Sequence, residues 1–320
     1  MISSKLFVQG EGMAIADDVS VRNAIIKTLK YFHVFRHPLY AREIYSFLQI
    51  GISQEVLQHM LDEMVREESI FYAHNMYSLE NSSQIFLKRL MGADLAAEKM
   101  KEAHRCAAVI GAFPFVKAIF VSGSLSKGYA DERSDIDFFI VTEQKRLWIG
   151  RTLLHLFKKL TFLVNKQHSF CMNYFIDESK LQLEEKNIFT ATELCTLIPV
   201  YGSDMHRQLI DNNKSWLETH FPNMELSVSR VVPSSARKPI KKRVEWIFNR
   251  MWPERLNIFL MKLTDKMWRM KWERKNYPME DYDLAMKTKW YVSKHHPLNY
   301  QKKVLKVNNE ESYQTVALGI

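Results

Sequence analysis

The chain has 320 residues, which is enough for two or three domains of ordinary size. Hydrophobic residues make up 47% and charged residues 25%, a balance that excludes a disordered chain and favours a globular one. The three cysteines lie far apart without a CxxC pair, which predicts reduced thiols and a cytoplasmic protein without disulfides or a zinc site. The start lacks a secretory signal, and basic residues interrupt the most apolar stretch, residues 147–164, so we expect no membrane span and no membrane partner.

The first part of the chain predicts a small module over residues 15–82. Its order is three helices followed by a two-stranded hairpin, with helices at 21–35, 40–48 and 53–68 and strands at 70–72 and 76–79. Asp17, Asp18, Ser20 and Ser53 are candidate helix caps. This order resembles a winged-helix domain. The third helix carries five acids and one base, so binding to DNA phosphates is disfavoured and docking to a protein partner or dimerisation is expected.

The remaining chain predicts a linking helix, an α/β centre and a helical tail. The linking helix covers 83–112, the central domain 113–203 and the tail 204–320. Within the centre, strands are expected at 116–122, 135–142 and 169–176, with helices at 145–164 and 189–197. A long helix between the second and third strands predicts a parallel βαβ crossover. The expected fold class is therefore α/β (α+β), with a mixed sheet flanked by the N-terminal module and the helical tail.

The net charge of +9 is concentrated in the tail. Residues 230–303 hold 19 Lys and Arg against 7 Asp and Glu, and they include Trp246, Trp252, Trp268 and Trp272. Bases with interleaved aromatic residues are typical of nucleic-acid or membrane-surface binding, but equally of a solvated helical surface with tryptophans packed inward. The sequence leaves nucleic-acid binding by this region open.

The most informative stretch is VSGSLSKGYADERSDIDFFIV, residues 121–141. Gly123 permits a tight turn after an apolar strand, and Ser124 with the following backbone N–H groups suits a phosphate chain. Asp135 and Asp137 are predicted at alternate positions of the next strand, hence on one face. Two carboxylates that lie so close together need a cation between them or a shared proton. Magnesium is commonly held by carboxylates together with substrate phosphates. A structural alternative is that the aspartates cap a turn.

This Gly-Ser pair, followed after ten residues by Asp-x-Asp, resembles the DNA polymerase β-like nucleotidyltransferase superfamily over residues 104–200. The resemblance implies that Gly123 and Ser124 hold the phosphates of a nucleoside triphosphate. It also implies that Asp135 and Asp137 are the catalytic residues and bind one or two magnesium ions. The expected reaction is transfer of a nucleoside monophosphate to an acceptor hydroxyl on a small molecule, protein or RNA, with pyrophosphate leaving.

Further candidate nucleotide contacts lie beside this motif and on the next strand. Ser134 directly precedes Asp135, and Lys127 either reaches a phosphate or is simply solvated. The superfamily usually places a third carboxylate on the next strand as metal ligand and general base. Here the stretch HSFCMNYFID, residues 168–177, is expected to place Asn173 near its start and Asp177 on the same face, about 13 Å further along.

Asparagine ligates a metal weakly and cannot act as a base, so the third carboxylate is not evident. Further acids follow this strand, but their spacing selects none of them: Glu178, Glu184, Glu185 and Glu193. Three functions therefore stay open. They are a magnesium-dependent nucleotidyltransferase, a catalytically weak or inactive nucleotide-binding regulator, and a winged-helix DNA-binding regulator. The sequence does not select the nucleotide base, the acceptor or the oligomeric state.

Overall fold

A computed structural model describes residues 17–161, 170–226, 239–251 and 254–317. The chain forms two compact units: one ends at Ser83 and includes Glu218–Glu225, and the other comprises Gln84–Leu217 and the chain from Leu226 onward. None of the helices within the described ranges combines the length and hydropathy that crossing a bilayer requires. The predicted end of a helix at residue 164, the predicted start of a strand at residue 169, and Trp252 lie outside the described residues.

Between residues 17 and 82, the first unit contains three helices and three short strands. They are α1 Asp18–His33, β1 Leu39–Tyr40, α2 Ala41–Phe47, α3 Gln54–Arg66, β2 Phe71–Ala73 and β3 Met76–Ser78. Two predicted caps are confirmed, since the side chain of Asp17 accepts a hydrogen bond from the Ser20 N–H and that of Ser53 from the Val56 N–H. The predicted hairpin is present, and β1 adds a third antiparallel strand beside β3. The strand β1 has only two residues, which is too short for hydrophobic periodicity to predict it from the sequence.

A late segment of the chain belongs to this first unit. The Asn223 side chain accepts a hydrogen bond from the Ile52 N–H at 3.2 Å and donates to the Ile50 carbonyl at 2.8 Å. Phe221 packs edge-on against Phe47, with 5.4 Å between ring centroids. Because these contacts join residues about 170 positions apart, no local sequence pattern predicts them.

The second unit is built on a six-stranded mixed sheet with the order β7-β4-β5-β6-β9-β8. Its strands are β4 Val116–Ser122, β5 Asp137–Thr142, β6 Cys171–Asp177, β7 Ile198–Tyr201, β8 Met286–Lys289 and β9 Val292–His295. The β5–β6 pair is parallel, which confirms the predicted crossover, and every other pair is antiparallel.

Helices cover this sheet. They are α4 Ser83–Gly111, α5 Gly123–Ser126, α6 Leu147–Thr161, α7 Ile188–Cys195, α8 Ser203–His220, α9 Pro239–Met251, α10 Glu254–Glu273, α11 Tyr282–Ala285 and α12 Tyr300–Ala317, with a 3-10 turn at Met279–Asp281. On one face, Phe138, Ile140 and Phe175 pack with α4 and α6 in the main hydrophobic core. On the other face, Phe139 stacks on Tyr174 with 4.6 Å between ring centroids. The candidate site lies on this second face, at the start of β5.

The tail predicted to be mainly helical, residues 204–320, also contains the β8–β9 hairpin, which was not predicted and which extends the central sheet beside β6. Each of these strands has four residues and carries lysines, so neither shows the apolar run of a core strand. The ammonium group of Lys294 is nonetheless buried, and it donates to Glu185 at 2.8 Å and to Gln301 at 2.6 Å. These tertiary partners stabilise a lysine that the sequence alone places in solvent.

Candidate functional site

The site begins at a tight turn where β4 ends. Gly123 adopts a φ of +68°, in the left-handed region that favours glycine. A Cβ atom at this position would lie 2.5 Å from Oδ2 of Asp137. Glycine is therefore required twice, once by the backbone conformation and once by the close approach of the carboxylate. Ser124, the next residue, is exposed on the short helix α5.

Asp137 is held at the first position of β5, between two neighbouring strands. It pairs with Ser122 of β4 on one side and with Cys171 of β6 on the other. The Asn173 amide donates a hydrogen bond to Asp137 Oδ1 at 2.8 Å, and the Cys171 thiol donates to Asn173 Oδ1 at 3.3 Å. Burial, followed by the negative charge of Asp135, raises the pKa of Asp137 to about 6. A cation beside this carboxylate would therefore favour its charged form.

Asp135 lies before the strand, and the predicted strand start at residue 135 is wrong by two positions. The two aspartates are thus not alternate members of one strand. Asp135 is nevertheless close enough for its charge to raise the pKa of Asp137. The loop, rather than strand alternation, brings the two carboxylates together.

Ser134 holds this loop in shape. Its hydroxyl donates to Asp131 Oδ1 at 2.8 Å and accepts from the Asp131 N–H at 2.9 Å, while its carbonyl accepts from the Lys99 ammonium. The hydrogen bond from Ser134 is the main cause that lowers the pKa of Asp131. The Ser134 hydroxyl is therefore engaged inside the loop that positions Asp135.

Lys127 is ion-paired rather than simply solvated. Its ammonium group donates to Glu193 Oε1 at 2.7 Å and to the Gly123 carbonyl at 3.1 Å, and its side chain is 13% exposed. Glu193 lies on α7, and its charge contributes to raising the pKa of Asp137. Of the four acids that sequence spacing left equivalent, Glu193 is the one whose charge acts on Asp137. The sequence could not distinguish Glu193 from the other three acids, because its position beside Lys127 depends on tertiary contacts of α7.

A bulge in β6 separates Asn173 from Asp177. The register between β5 and β6 shifts after Phe138, so Met172 pairs with Phe138 but Tyr174 pairs with Phe139. Alternation beyond the bulge places Asp177 on the face opposite Asp137, opposite Thr142 at the far end of the strand. The expectation that Asn173 and Asp177 share a face is therefore wrong, whereas the preference for Asn173 as the residue nearer Asp137 agrees with its hydrogen bond. Asp177 instead accepts from the Lys145 N–H at 2.6 Å.

The donor set around Asp137 suits a metal ion that shares its coordination with a ligand. Among the residues that the structure describes, no three His, Cys, Asp or Glu side chains are grouped to hold a metal. Magnesium commonly uses one or two carboxylates, waters and substrate phosphates, and Asp135 with Asp137 fits that requirement for one ion. A second ion bound by a third carboxylate does not fit, because Asn173 stands beside Asp137.

The central region also matches a known protein family. Residues 108–191, about a quarter of the chain, match the family model described as a nucleotidyltransferase domain. The matched region includes Gly123, Asp135, Asp137 and Asn173. No curated protein and no solved structure matches the chain. The match supports the predicted nature of the central domain, its mixed α/β fold, and nucleotidyl transfer as a general activity.

Two glycines with the same backbone conformation test the close approach at the turn. Gly128 has a φ of +66°, and a Cβ there would meet nothing closer than the Arg89 guanidinium at 3.8 Å. Gly128→Ala is expected to lower the free energy of unfolding by about 1–2 kcal/mol through backbone strain alone. Gly123→Ala adds displacement of Asp137 and should cost about 1–3 kcal/mol more. Urea titrations measure both, and equal losses would show that the close contact has no energetic importance.

The pKa of Asp137 predicts how its substitution affects stability. Because the folded-state pKa exceeds the ordinary value of 3.8, this group stabilises the fold at low pH, and that contribution is lost as the pH rises through about 6. Asp137→Asn mimics the protonated form. Without metal at pH 7.5 it should therefore raise the melting temperature, with a gain in stability of up to about 3 kcal/mol.

Melting scans in a chelator at pH 4.5 and pH 7.5 measure this effect. Asp131→Asn is the control of opposite sign, because the pKa of Asp131 is lowered and its loss should destabilise the fold at pH 7.5. If Asp137 instead acts as a structural cap, Asp137→Asn would destabilise the fold by about 0.5–2 kcal/mol.

Proposed function

We propose that this protein is a magnesium-dependent nucleotidyltransferase that moves a nucleoside monophosphate from a nucleoside triphosphate to an acceptor hydroxyl. The observation that carries the proposal is the contact between the left-handed turn at Gly123 and the partly buried carboxylate of Asp137. That contact brings a backbone suited to phosphate and a candidate metal ligand to one place. The family match at residues 108–191 supports the same general activity.

Each residue has a role in this proposal. The backbone N–H groups that follow Gly123, with the exposed Ser124 hydroxyl, bind the phosphates of the nucleotide. Asp135 and Asp137 hold magnesium, which when bound offsets charge that develops on the transferring phosphoryl group. Ser134 fixes the loop that carries Asp135 through its hydrogen bonds to Asp131.

The Lys127–Glu193 ion pair provides a local response to the nucleotide. A triphosphate bound beside Gly123 would compete with Glu193 for the Lys127 ammonium, since phosphate oxygens form strong charge-assisted hydrogen bonds. Release of Lys127 would leave Glu193 as a carboxylate near Asp137. Glu193 then becomes the candidate to accept a proton from the acceptor hydroxyl.

A second function, nucleotide binding with little or no turnover, is favoured by one specific contact. Asn173 rather than an acid donates its amide to Asp137. An amide neither accepts a proton at neutral pH nor ligates magnesium as a carboxylate does. A regulator that responds to nucleotide would need the phosphate turn and the two aspartates but not a third carboxylate.

For the first unit we propose a winged-helix module that docks a protein partner. Its three helices and the β2–β3 hairpin lie in the predicted order, and β1 is an additional strand between α1 and α2. The Arg22 guanidinium of α1 bonds to Glu63 and Glu67, so this base is engaged by acids of its own module. The remaining acids of α3 would repel DNA phosphates, which supply most non-specific DNA affinity.

The proposed activity predicts that nucleotides stabilise the protein only with a divalent metal. At a triphosphate concentration of 100 times the dissociation constant, the expected gain in stability is about 2.7 kcal/mol. Melting scans with each triphosphate, with magnesium or with a chelator, measure this dependence. Asp137→Asn should abolish the shift while remaining folded. A shift of equal size in the chelator would contradict metal-dependent binding at this site.

A transfer assay separates the two functions. The protein is incubated with each labelled triphosphate, magnesium and cell extract, and pyrophosphate and labelled acceptor are measured. Asn173→Asp would introduce the missing carboxylate. If its absence limits turnover, this variant should raise pyrophosphate release by about 100-fold or more.

Stability gives an independent check on Asn173→Asp. The variant places two carboxylates where an amide now bonds at 2.8 Å, so it should melt lower in a chelator and recover with magnesium. Asn173→Ser, which adds no charge, is the matched control. Rapid turnover by the unmodified protein, without any gain in Asn173→Asp, would instead favour Glu193 as the proton acceptor.

A further inference from the structure

Arg151 of α6 is a buried cation that has no anionic partner among the described residues. Its side chain is 6% exposed, and its guanidinium lies over the rings of Trp148 at 5.3 Å and Trp268 at 4.7 Å. In the part of the chain that the structure describes, Arg151 forms neither an ion pair nor a hydrogen bond. Burial lowers the pKa of Arg151 to about 9, and no nearby carboxylate opposes that effect. Burying a charge in this way is costly unless an opposite charge compensates it.

Three further polar atoms beside Arg151 also lack partners. They are Nε2 of His155, Nε2 of His295 and Nε1 of Trp272, each shielded from solvent without a hydrogen bond among the described residues. His155 lies one turn after Arg151 on α6. The Trp268 ring contacts His295, with 4.6 Å between centroids, and the Trp272 ring lies 5.8 Å from the same histidine. We call Arg151, His155, Trp268, Trp272 and His295 the Arg151 cluster.

The electrostatic surroundings of this cluster are positive. Burial and then the charges of Arg151 and Lys158 lower the pKa of His155 well below its usual value. Burial and then the charge of Lys271 lower the pKa of His295 to about 3. Both imidazoles are therefore neutral at neutral pH, and each carries one N–H donor. Besides burial, the charges that lower these two pKa values come from arginine, lysine and histidine side chains, and no carboxylate of the described residues is among them.

Contacts with the residues that the structure describes do not compensate the charge of Arg151. Interaction with two indole rings recovers part of the desolvation cost, typically about 2 kcal/mol when buried. Ordered water would satisfy the imidazole and indole nitrogens but would not neutralise the guanidinium. A bound anion would do both, because its oxygens accept from every one of these donors.

We propose that the Arg151 cluster is a second ligand site, which binds a phosphate-type oxyanion. A guanidinium offers two parallel N–H donors, a geometry that matches phosphate and carboxylate oxygens. The imidazole and indole groups add donors from other directions, which suits a tetrahedral anion better than a planar carboxylate. The class of ligand is inorganic phosphate or the phosphoryl group of a small metabolite.

This site is distinct from the one at Asp137. By strand alternation, His295 faces the same side of the sheet as Ser293, which pairs with Phe175 of the main core. Asp137 faces the opposite side, with Phe139 and Tyr174. The Arg151 cluster therefore does not hold the phosphates of a nucleotide bound at Gly123, and the proposal stands whether or not the protein transfers nucleotides.

The test is a titration of the full chain with inorganic phosphate in a chelator, so that metal-dependent nucleotide binding does not contribute. Binding is followed by calorimetry and by tryptophan fluorescence, because Trp268 and Trp272 belong to the cluster. We expect saturable binding at millimolar phosphate or below. Arg151→Met should weaken it at least about tenfold, while Arg255→Met, which removes an exposed arginine of α10, should leave it unchanged.

Melting temperatures and a second variant, Trp272→Phe, separate a ligand-binding role of Arg151 from a purely structural one. Without phosphate, Arg151→Met should melt at the same temperature as the unmodified protein or higher, because an uncompensated buried cation is removed. Should that variant not fold, Trp272→Phe removes one unpartnered donor at similar volume and should weaken phosphate binding. The proposal would be overturned if the unmodified protein bound no phosphate and Arg151→Met melted at a lower temperature. Arg151 would then have a purely structural role. Acetate binding as tight as phosphate would overturn the assignment to a tetrahedral anion.

Discussion

The carboxylate of Asp137 lies inside the sheet, where burial opposes its charge, and the local structure around it follows from that constraint. The turn before it must be glycine, because any side chain at Gly123 would occupy the space of the carboxylate. The neighbouring strand must present a donor, and a bulge in β6 places the Asn173 amide at that position. The loop that carries Asp135 is fixed by Ser134 and Asp131, which brings a second negative charge close. Burial and the charge of Asp135 raise the pKa of Asp137, so a cation beside this carboxylate would stabilise its charged form.

Three buried charges in the second unit are compensated in different ways. Lys294 has Glu185 and Gln301 as partners, so its burial stabilises the attachment of the β8–β9 hairpin to the sheet. Asp137 accepts a hydrogen bond from the Asn173 amide, and the Lys127 charge that favours its carboxylate is itself paired with Glu193. Arg151 has aromatic rings and no hydrogen bond among the described residues. Complete pairing is typical of a structural charge, whereas incomplete pairing at a buried position is typical of a place where a ligand completes the set.

Two side chains near Asp137, those of Asn173 and Glu193, favour different functions for this site. Asn173 favours binding over catalysis, since it replaces a base by an amide. Glu193 supplies an acid from another element, and it is ion-paired with Lys127. In the proposed reaction, turnover would therefore depend on the ion pair between Lys127, which directly follows α5, and Glu193 of α7.

The sequence by itself determined the main helices and strands, because the patterns that predict them lie within short stretches of the chain. Apolar periodicity, the caps at Asp17 and Ser53, and the run around Gly123 and Asp137 predicted helices, strands and a phosphate turn near two acids. Apart from the parallel β5–β6 crossover and the place of Asn173 near Asp137, the relations between distant segments required the tertiary structure. The bulge that moves Asp177 to the other face depends on pairing with β5, and the β8–β9 strands become strands only beside β6. The selection of Glu193 and the grouping of the Arg151 cluster likewise join residues from separate elements, and a linear pattern carries no record of such contacts.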